Sequence, residues 1–227
     1  MTCFKPTHSL RLREKLLMQG ARSLSDAELL AIFISSGNAK KSCLQLALEL
    51  IKHLGDLRAI LNADARSFKQ VSGLGIVRYV QLQAVQEICR RSDFISLQKN
   101  IPLTNTQQTY AYLKRQLRDK KNETFVALFL DSQHRVLAYE ELFNGTINKA
   151  SVYPRPIVER VLQLNAAALI LAHNHPSGIA DASQQDLIVT KRLQDALNLV
   201  DVSLLDHLII GDNEVYSILS NTKWNCN

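Results

Sequence analysis

Residues 167–176 read AALILAHNHP. The run is apolar through Ala172, as a strand buried on both faces requires, so the fold must cover a sheet on each side. His173 and His175 are two apart in that strand, which sends both imidazoles from one face and Asn174 from the other. Pro176 has no N–H for the ladder and ends the strand. Side-by-side imidazoles at a strand end suit a divalent ion, because neutral imidazole is a good zinc ligand. A third ligand is then needed. Asp186, eleven residues after His175 and in the first turn of the next helix, is placed to fold back over the strand end. Two histidines and one carboxylate leave a fourth tetrahedral position for water, the arrangement of a catalytic zinc. A structural reading stands beside this one. Ser183 and Asp186 also form an S-x-x-D capping pattern, in which the hydroxyl caps the helix and the acid answers it, and that alone accounts for both residues. Spacing leaves the two readings open, and they are not exclusive for Ser183.

The strand belongs to a half of the chain whose hydrophobic period switches between two and the helical value. TFVALFLD and RVLAYEELFNG have strand character and are separated by the turn residues DSQH. A helix over about 154–163, the strand above, a helix over about 183–199 and a strand SLLDHLIIG follow. Strands alternating with helices predict an α/β sandwich, and the short hairpin between the first two strands makes its sheet mixed. The front half reads as short helices instead. SLSDAELLAIFI opens with Ser25 as N-cap and Glu28 three residues on, and KSCLQLALELIKHLG repeats the helical spacing before Gly55. Further helices are expected at about 64–70 and 76–92, with Gly73 and Gly75 bracketing a tight turn between them. Residues 93–105 lose the helical period and carry Pro102, which marks a domain boundary. A helix restarts near Thr106 and continues through AYLKRQLRDKK.

Composition narrows the class. A chain that is 46% hydrophobic and 21% charged is ordinary for a soluble globular protein. No apolar run approaches the roughly 18 residues of a membrane span, and MTCFKPTHSLRLREKLL lacks an apolar secretory core, so a cytoplasmic protein without membrane association is expected. Cys3, Cys43, Cys89 and Cys226 are far apart and form no CxxC, which indicates reduced thiols rather than a disulfide framework or a thiolate zinc cage. The net charge of +6 is uneven: Lys and Arg outnumber Asp and Glu 15 to 8 in residues 1–100, against 12 to 13 in residues 101–227. Such a surplus favours a polyanion such as nucleic acid, and it equally serves solubility. No aromatic-interleaved basic segment supports single-strand stacking. An HNH nuclease is not indicated, since that motif spreads its three residues over a long ββα unit.

HNHPSGIADASQQD matches the JAMM metalloprotease pattern, H-x-H-P-x6-S-x-x-D, at every specified position. SDAELLAIFISSG, NETFVALFLD, EELFNGTINKASVYPR, LNAAALILAHNHPSG and LLDHLIIGD extend the likeness across nearly the whole chain, which resembles the bacterial RadC-type (UPF0758) family. The resemblance implies an α+β protein: a small all-helical N-terminal domain, residues 1–100, and a JAMM (MPN-like, cytidine-deaminase-like) α/β sandwich, residues 105–227. It further implies that His173, His175 and Asp186 bind one zinc ion (Zn2+), that Ser183 helps stabilise an oxyanion, and that a glutamate just before a strand activates the zinc water. Glu123, which immediately precedes TFVALFLD, takes that last role as general base. Glu140 and Glu141, in AYEELF, are its rivals. The activity so implied is hydrolysis of a peptide or isopeptide bond in a peptide or protein substrate, although a historical DNA-repair label attaches to the family.

Another class of function also has a sequence basis. SGLGIVRYVQLQAV resembles the hairpin of a helix-hairpin-helix module, in which the backbone N–H groups around Gly73 and Gly75 would meet a phosphate of duplex DNA. Tyr79 departs from that pattern, since a small residue there lets the helices pack and a bulky ring is expected to disturb them. Gly-x-Gly turns also join helices for steric reasons alone. On this alternative the chain is a DNA-associated binding protein that keeps the JAMM fold as scaffold; a weaker third reading is a pseudoenzyme that binds zinc without turnover. Asp206 and His207 read as a strand-end pair bonding to loops, or for one of them as a group behind a zinc ligand. Trp224 reads as a packing anchor.

Overall fold

A computed structural model describes residues 8–98, 106–145 and 152–225. The chain divides into two compact units, Met1–Cys89 and Arg90–Asn227. In the first, helices α1 (His8–Gln19), α2 (Asp26–Ile34), α3 (Cys43–Leu54), α4 (Leu57–Asn62), α5 (Ala65–Lys69) and the start of α6 (Ile76–Gln98) follow one another, with a 3-10 turn at Ala21–Ser23. Their starts are written locally. Ser25 and Glu28 form a reciprocal capping box on α2, Ser42 and Gln45 another on α3, and Asp56 and Asp64 cap α4 and α5. Leu30, Ala31, Leu46, Ala47, Leu50, Ile60 and Phe68 close the core of this unit.

The turn between α5 and α6 needs glycine at position 73. Its φ is 102°, and a Cβ there would lie 2.3 Å from Asn38 Nδ2 and 3.2 Å from Leu46 Cδ2. Gly75 faces open space. Tyr79, expected to disturb the helices, instead packs against this core, with its ring 5.7 Å from that of Phe68. Helix α6 runs to Gln98, beyond the expected end near residue 92. RRSDFISLQ contains no Gly or Pro, and Phe94 packs into the core of the second unit, so tertiary contact carries the helix past the point where periodicity fades. The expected linker therefore lies partly inside α6; the remainder, 99–105, is outside the described residues.

The second unit contains α7 (Thr106–Leu117), β1 (Thr124–Leu130), β2 (Val136–Asn144), α8 (Pro154–Leu164), β3 (Ala168–Asn174), α9 (Gln184–Asn198), β4 (Ser203–Ile210), β5 (Glu214–Ser217) and β6 (Thr222–Asn225). Among the described residues they make one six-stranded mixed sheet in the order β2-β1-β3-β4-β5-β6. Only β3 and β4 are parallel, joined by α9. Helix α7 ends at Leu117 rather than running on through the lysines that follow. The short hairpin of β5 and β6 has no counterpart in the sequence reading, and in it Trp224 lies 4.8 Å from the Tyr110 ring.

Strand alternation builds two cores. Phe125, Ala127, Phe129, Leu169 and Leu171 face α8 and α9, whereas Val126, Leu128, Leu130, Ile170 and Ala172 face α7. β1 and β3 are buried along their whole length, as the apolar runs require. One irregularity matters for the site. Leu169 pairs with Leu204 but Ile170 pairs with Asp206, so Leu205 is an extra residue in β4. This bulge reverses the parity of the strand and turns His207 toward α9 and Asp206 toward α7. No helix among the described residues is long and apolar enough to cross a membrane.

Candidate metal centre

Three local structures converge at the C-terminal end of β3. First, the strand stops at Asn174. The His175 N–H donates to Ile210 O at 3.0 Å, and the chain turns with Gly178 N–H donating to His175 O at 2.9 Å. Gly178 has φ 82°, and a Cβ on it would meet Asp212 Oδ2 at 2.7 Å. Second, Ser183 caps α9. Asp186 N–H donates to Ser183 Oγ at 3.2 Å, while Asp186 Oδ2 accepts from Ser183 N–H at 2.8 Å and from the Ser183 hydroxyl at 2.6 Å. The box occupies Oδ2 and leaves Oδ1 facing His173, so capping does not use up the carboxylate. Third, the segment before β1 is fastened by Asn174, whose side chain leaves the opposite face of β3. Its Oδ1 accepts from Thr124 N–H at 2.8 Å, and its Nδ2 donates to Lys120 O and Asn122 O at 3.1 and 3.2 Å. That brings Glu123 to the site.

The result is a tight group of four. His173 Nε2 lies 3.1 Å from His175 Nε2, 3.3 Å from Asp186 Oδ1 and 4.0 Å from Glu123 Oε1. His175 Nε2 is 3.8 Å from Asp186 Oδ2, and one ligand atom from each residue lies within 4.8 Å of all the others. Exposure is graded: the His173 and Asp186 side chains are 0% and 2% exposed, Glu123 and His175 15% and 20%. One side is sealed and the other reaches solvent.

The hydrogen bonds decide which nitrogens are bare. His175 Nδ1 is 2.9 Å from Ile179 O, and a carbonyl can only accept, so Nδ1 carries the proton and Nε2 the lone pair. His173 Nδ1 bonds to His207 Nε2 at 2.9 Å. Burial pushes the His173 pKa down to about 4, partly opposed by Asp186 and reinforced by His175. Burial likewise holds His207 well below its ordinary value. Both rings are therefore neutral near pH 7. His175 Nε2 and the Asp186 carboxylate crowd His173 Nε2 at 3.1 and 3.3 Å, a gathering of donor atoms that a shared cation would relieve. Imidazole, imidazole and carboxylate are the donors that a divalent metal such as zinc accepts, so the residues present fit a metal ion.

Glu140 and Glu141 are drawn elsewhere. Glu140 is paired with Arg160 and Glu141 with Lys120, at 2.5 and 2.6 Å. His207 is not a strand-end residue bonding to loops: it lies within β4, fully buried, between His173 and Thr190. Asn174 and Thr190 were not found as site residues in the sequence, whereas His207 takes the place behind a zinc-ligand candidate that the sequence left open for it or Asp206. An amide between two histidines at a strand end is the nearest thing to a signal for the first. In the front unit, the φ of Gly73 and its contact with Asn38 already demand glycine without a phosphate.

Comparison with known proteins agrees with this architecture. A model of the RadC-like JAB domain matches residues 103–224, and a model of the UPF0758 N-terminal region matches residues 6–80. UPF0758 proteins of Legionella pneumophila strains Lens and Corby are each 75% identical to this chain over 218 residues, 96% of either partner. A UPF0758 protein of Thioalkalivibrio sulfidiphilus is 54% identical over 205 residues, covering 90% of this chain and 92% of its own. A helical front region, a mixed six-stranded sheet and a His, Asp and Glu group at its rim together constitute a JAMM-type metal-hydrolase fold. The chain therefore belongs to the UPF0758 family, with a RadC-like JAB domain as its second unit.

Proposed function

We propose that this protein is a zinc-dependent hydrolase that cleaves a peptide or isopeptide bond. One observation carries the reading: two bare imidazole nitrogens and a carboxylate oxygen meet at 3.1 and 3.3 Å, with a second carboxylate at the solvent-facing rim. Two histidines and one carboxylate are a usual catalytic zinc set, whereas calcium and magnesium prefer shells of oxygen. Held by His173 Nε2, His175 Nε2 and Asp186 Oδ1, zinc would lower the pKa of a water toward about 7 and polarise the scissile carbonyl.

The remaining work falls to the chain. Glu123 accepts the proton that the attacking water gives up and delivers it to the leaving amine, as the water oxygen bonds to the carbonyl carbon and the C–N bond breaks. Ser183 begins with its hydroxyl donating to Asp186 Oδ2 and must turn from it to reach an oxyanion. Its own backbone N–H keeps that carboxylate oxygen bonded meanwhile. The buried flank of His173 and Asp186 excludes bulk water from behind the reacting groups.

Metal content tests the site. Wild type is expected to bind one zinc per chain and His173→Ala none; equal zinc in the two overturns it. A library of peptides and isopeptides tests the chemistry, with zinc-loaded wild type cleaving and Glu123→Gln holding zinc without cleaving. A library left intact by wild type overturns the hydrolase reading.

A further inference from the structure

Behind His173 lies a buried chain of hydrogen bonds that starts from the main chain of Asp186. Thr190 Oγ1 is 2.6 Å from the backbone carbonyl of Asp186 and 2.6 Å from His207 Nδ1. The carbonyl has no proton to give, so the Thr190 hydroxyl donates to it, and the hydroxyl oxygen is left to accept from His207 Nδ1–H. A neutral His207 then has a bare Nε2, which accepts from His173 Nδ1–H at 2.9 Å. With both rings neutral, every donor direction follows from that one carbonyl. His173 Nε2 in turn faces Asp186 Oδ1 at 3.3 Å. The circuit thus runs from the main chain of Asp186 through Thr190 and His207 to His173, whose bare Nε2 faces the carboxylate of the same aspartate.

Its members are held for this purpose. Thr190, His173 and His207 are 3%, 0% and 0% exposed, and Phe125 lies parallel to the His173 ring and edge-on to that of His207. The bulge at Leu205 is what directs His207 to this face of the sheet. Without the circuit, His173 could rotate its ring or carry its proton on Nε2, aiming a donor into a site that needs an acceptor.

We propose that Thr190 and His207 are positioning residues that set the tautomer of His173 and hold its Nε2 bare and aimed at the metal. The tautomer claim stands on the hydrogen bonds alone; its effect on affinity rests on the metal reading above. Long-range proton–nitrogen NMR of metal-free, histidine-labelled wild type reads the first part. His173 and His207 are each expected to be protonated at Nδ1 and bare at Nε2; a proton on either Nε2 overturns the proposal. Zinc affinity by chelator competition reads the second. Thr190→Val, which keeps the shape and loses the hydroxyl, is expected to bind roughly 10- to 100-fold more weakly, with Thr190→Ser restoring affinity. If Thr190→Val binds as wild type while His173→Ala does not, the positioning role is overturned and the metal site stands. If wild type and His173→Ala bind alike, the metal reading falls, and the affinity part of this proposal with it.

Discussion

Asn174 occupies the position of HNHP that leaves the sheet on the side away from the metal, yet it reaches three backbone groups between Lys120 and Thr124. It thereby fixes the segment that presents Glu123. Asn174→Ala leaves a buried Thr124 N–H unpaired, which costs about 1–3 kcal/mol. Zinc content should hold, while turnover falls at least about tenfold because the base loses its placement. A lowered urea midpoint with unchanged metal content would show this, and unchanged turnover would refute it. The spacing H-x-H-P-x6-S-x-x-D names residues that come together because strand alternation and a capping box are local rules. Nothing comparable names Thr190, or chooses His207 over Asp206. Their roles depend on which strand lies beside β3 and which way it faces.

Among elements, the bulge in β4 shows the same boundary between local and nonlocal information. SLLDHLII alternates well enough to be read as a strand, but the extra residue that reverses its facing is created by pairing with β3. Deleting Leu205 would remove the bulge yet keep the facing, with Asp206 still opposite Ile170 and His207 still opposite Leu171. The variant should therefore keep cooperative thermal unfolding in circular dichroism and the zinc content of wild type; loss of either would show that the facing does not follow from this pairing. The helices that were legible carry a cap and an apolar face, as in α2, α3 and α9. Helix α1 escaped because apolar residues such as Leu17 and Met18, 84% and 85% exposed, make no buried stripe. Strands β5 and β6, four residues each, are too short for a period of two to stand out.

For the molecule as a whole, the underside of the sheet sets an alkaline limit. Burial, aided by Asp206, pushes Tyr110 up to about 12, and burial raises Tyr112 and Tyr139 as well. A phenol with a raised pKa keeps its proton in the fold at a pH where the unfolded chain, ionising near 10, has lost it. The unfolded state then binds fewer protons, so stability present below about pH 10 is lost as pH climbs through 12. Urea midpoints from pH 8 to 11 should decline at the upper end. The buried Tyr139 hydroxyl has no hydrogen-bond partner among the described residues. Tyr139→Phe should therefore flatten that decline and raise stability at pH 8 by about 1 kcal/mol; a steeper decline would contradict the assignment.

The uneven exposure of the four site residues has a kinetic corollary. An ion held by this group would, among the described residues, be walled in at the rear by His173 and Asp186, and would enter and depart past His175 and Glu123, the mouth that the proposed polypeptide substrate would also use. A docked chain corks that mouth. Stripping by chelator should accordingly slow in the presence of a non-hydrolysable peptide, so that a docked chain would guard the ion behind it.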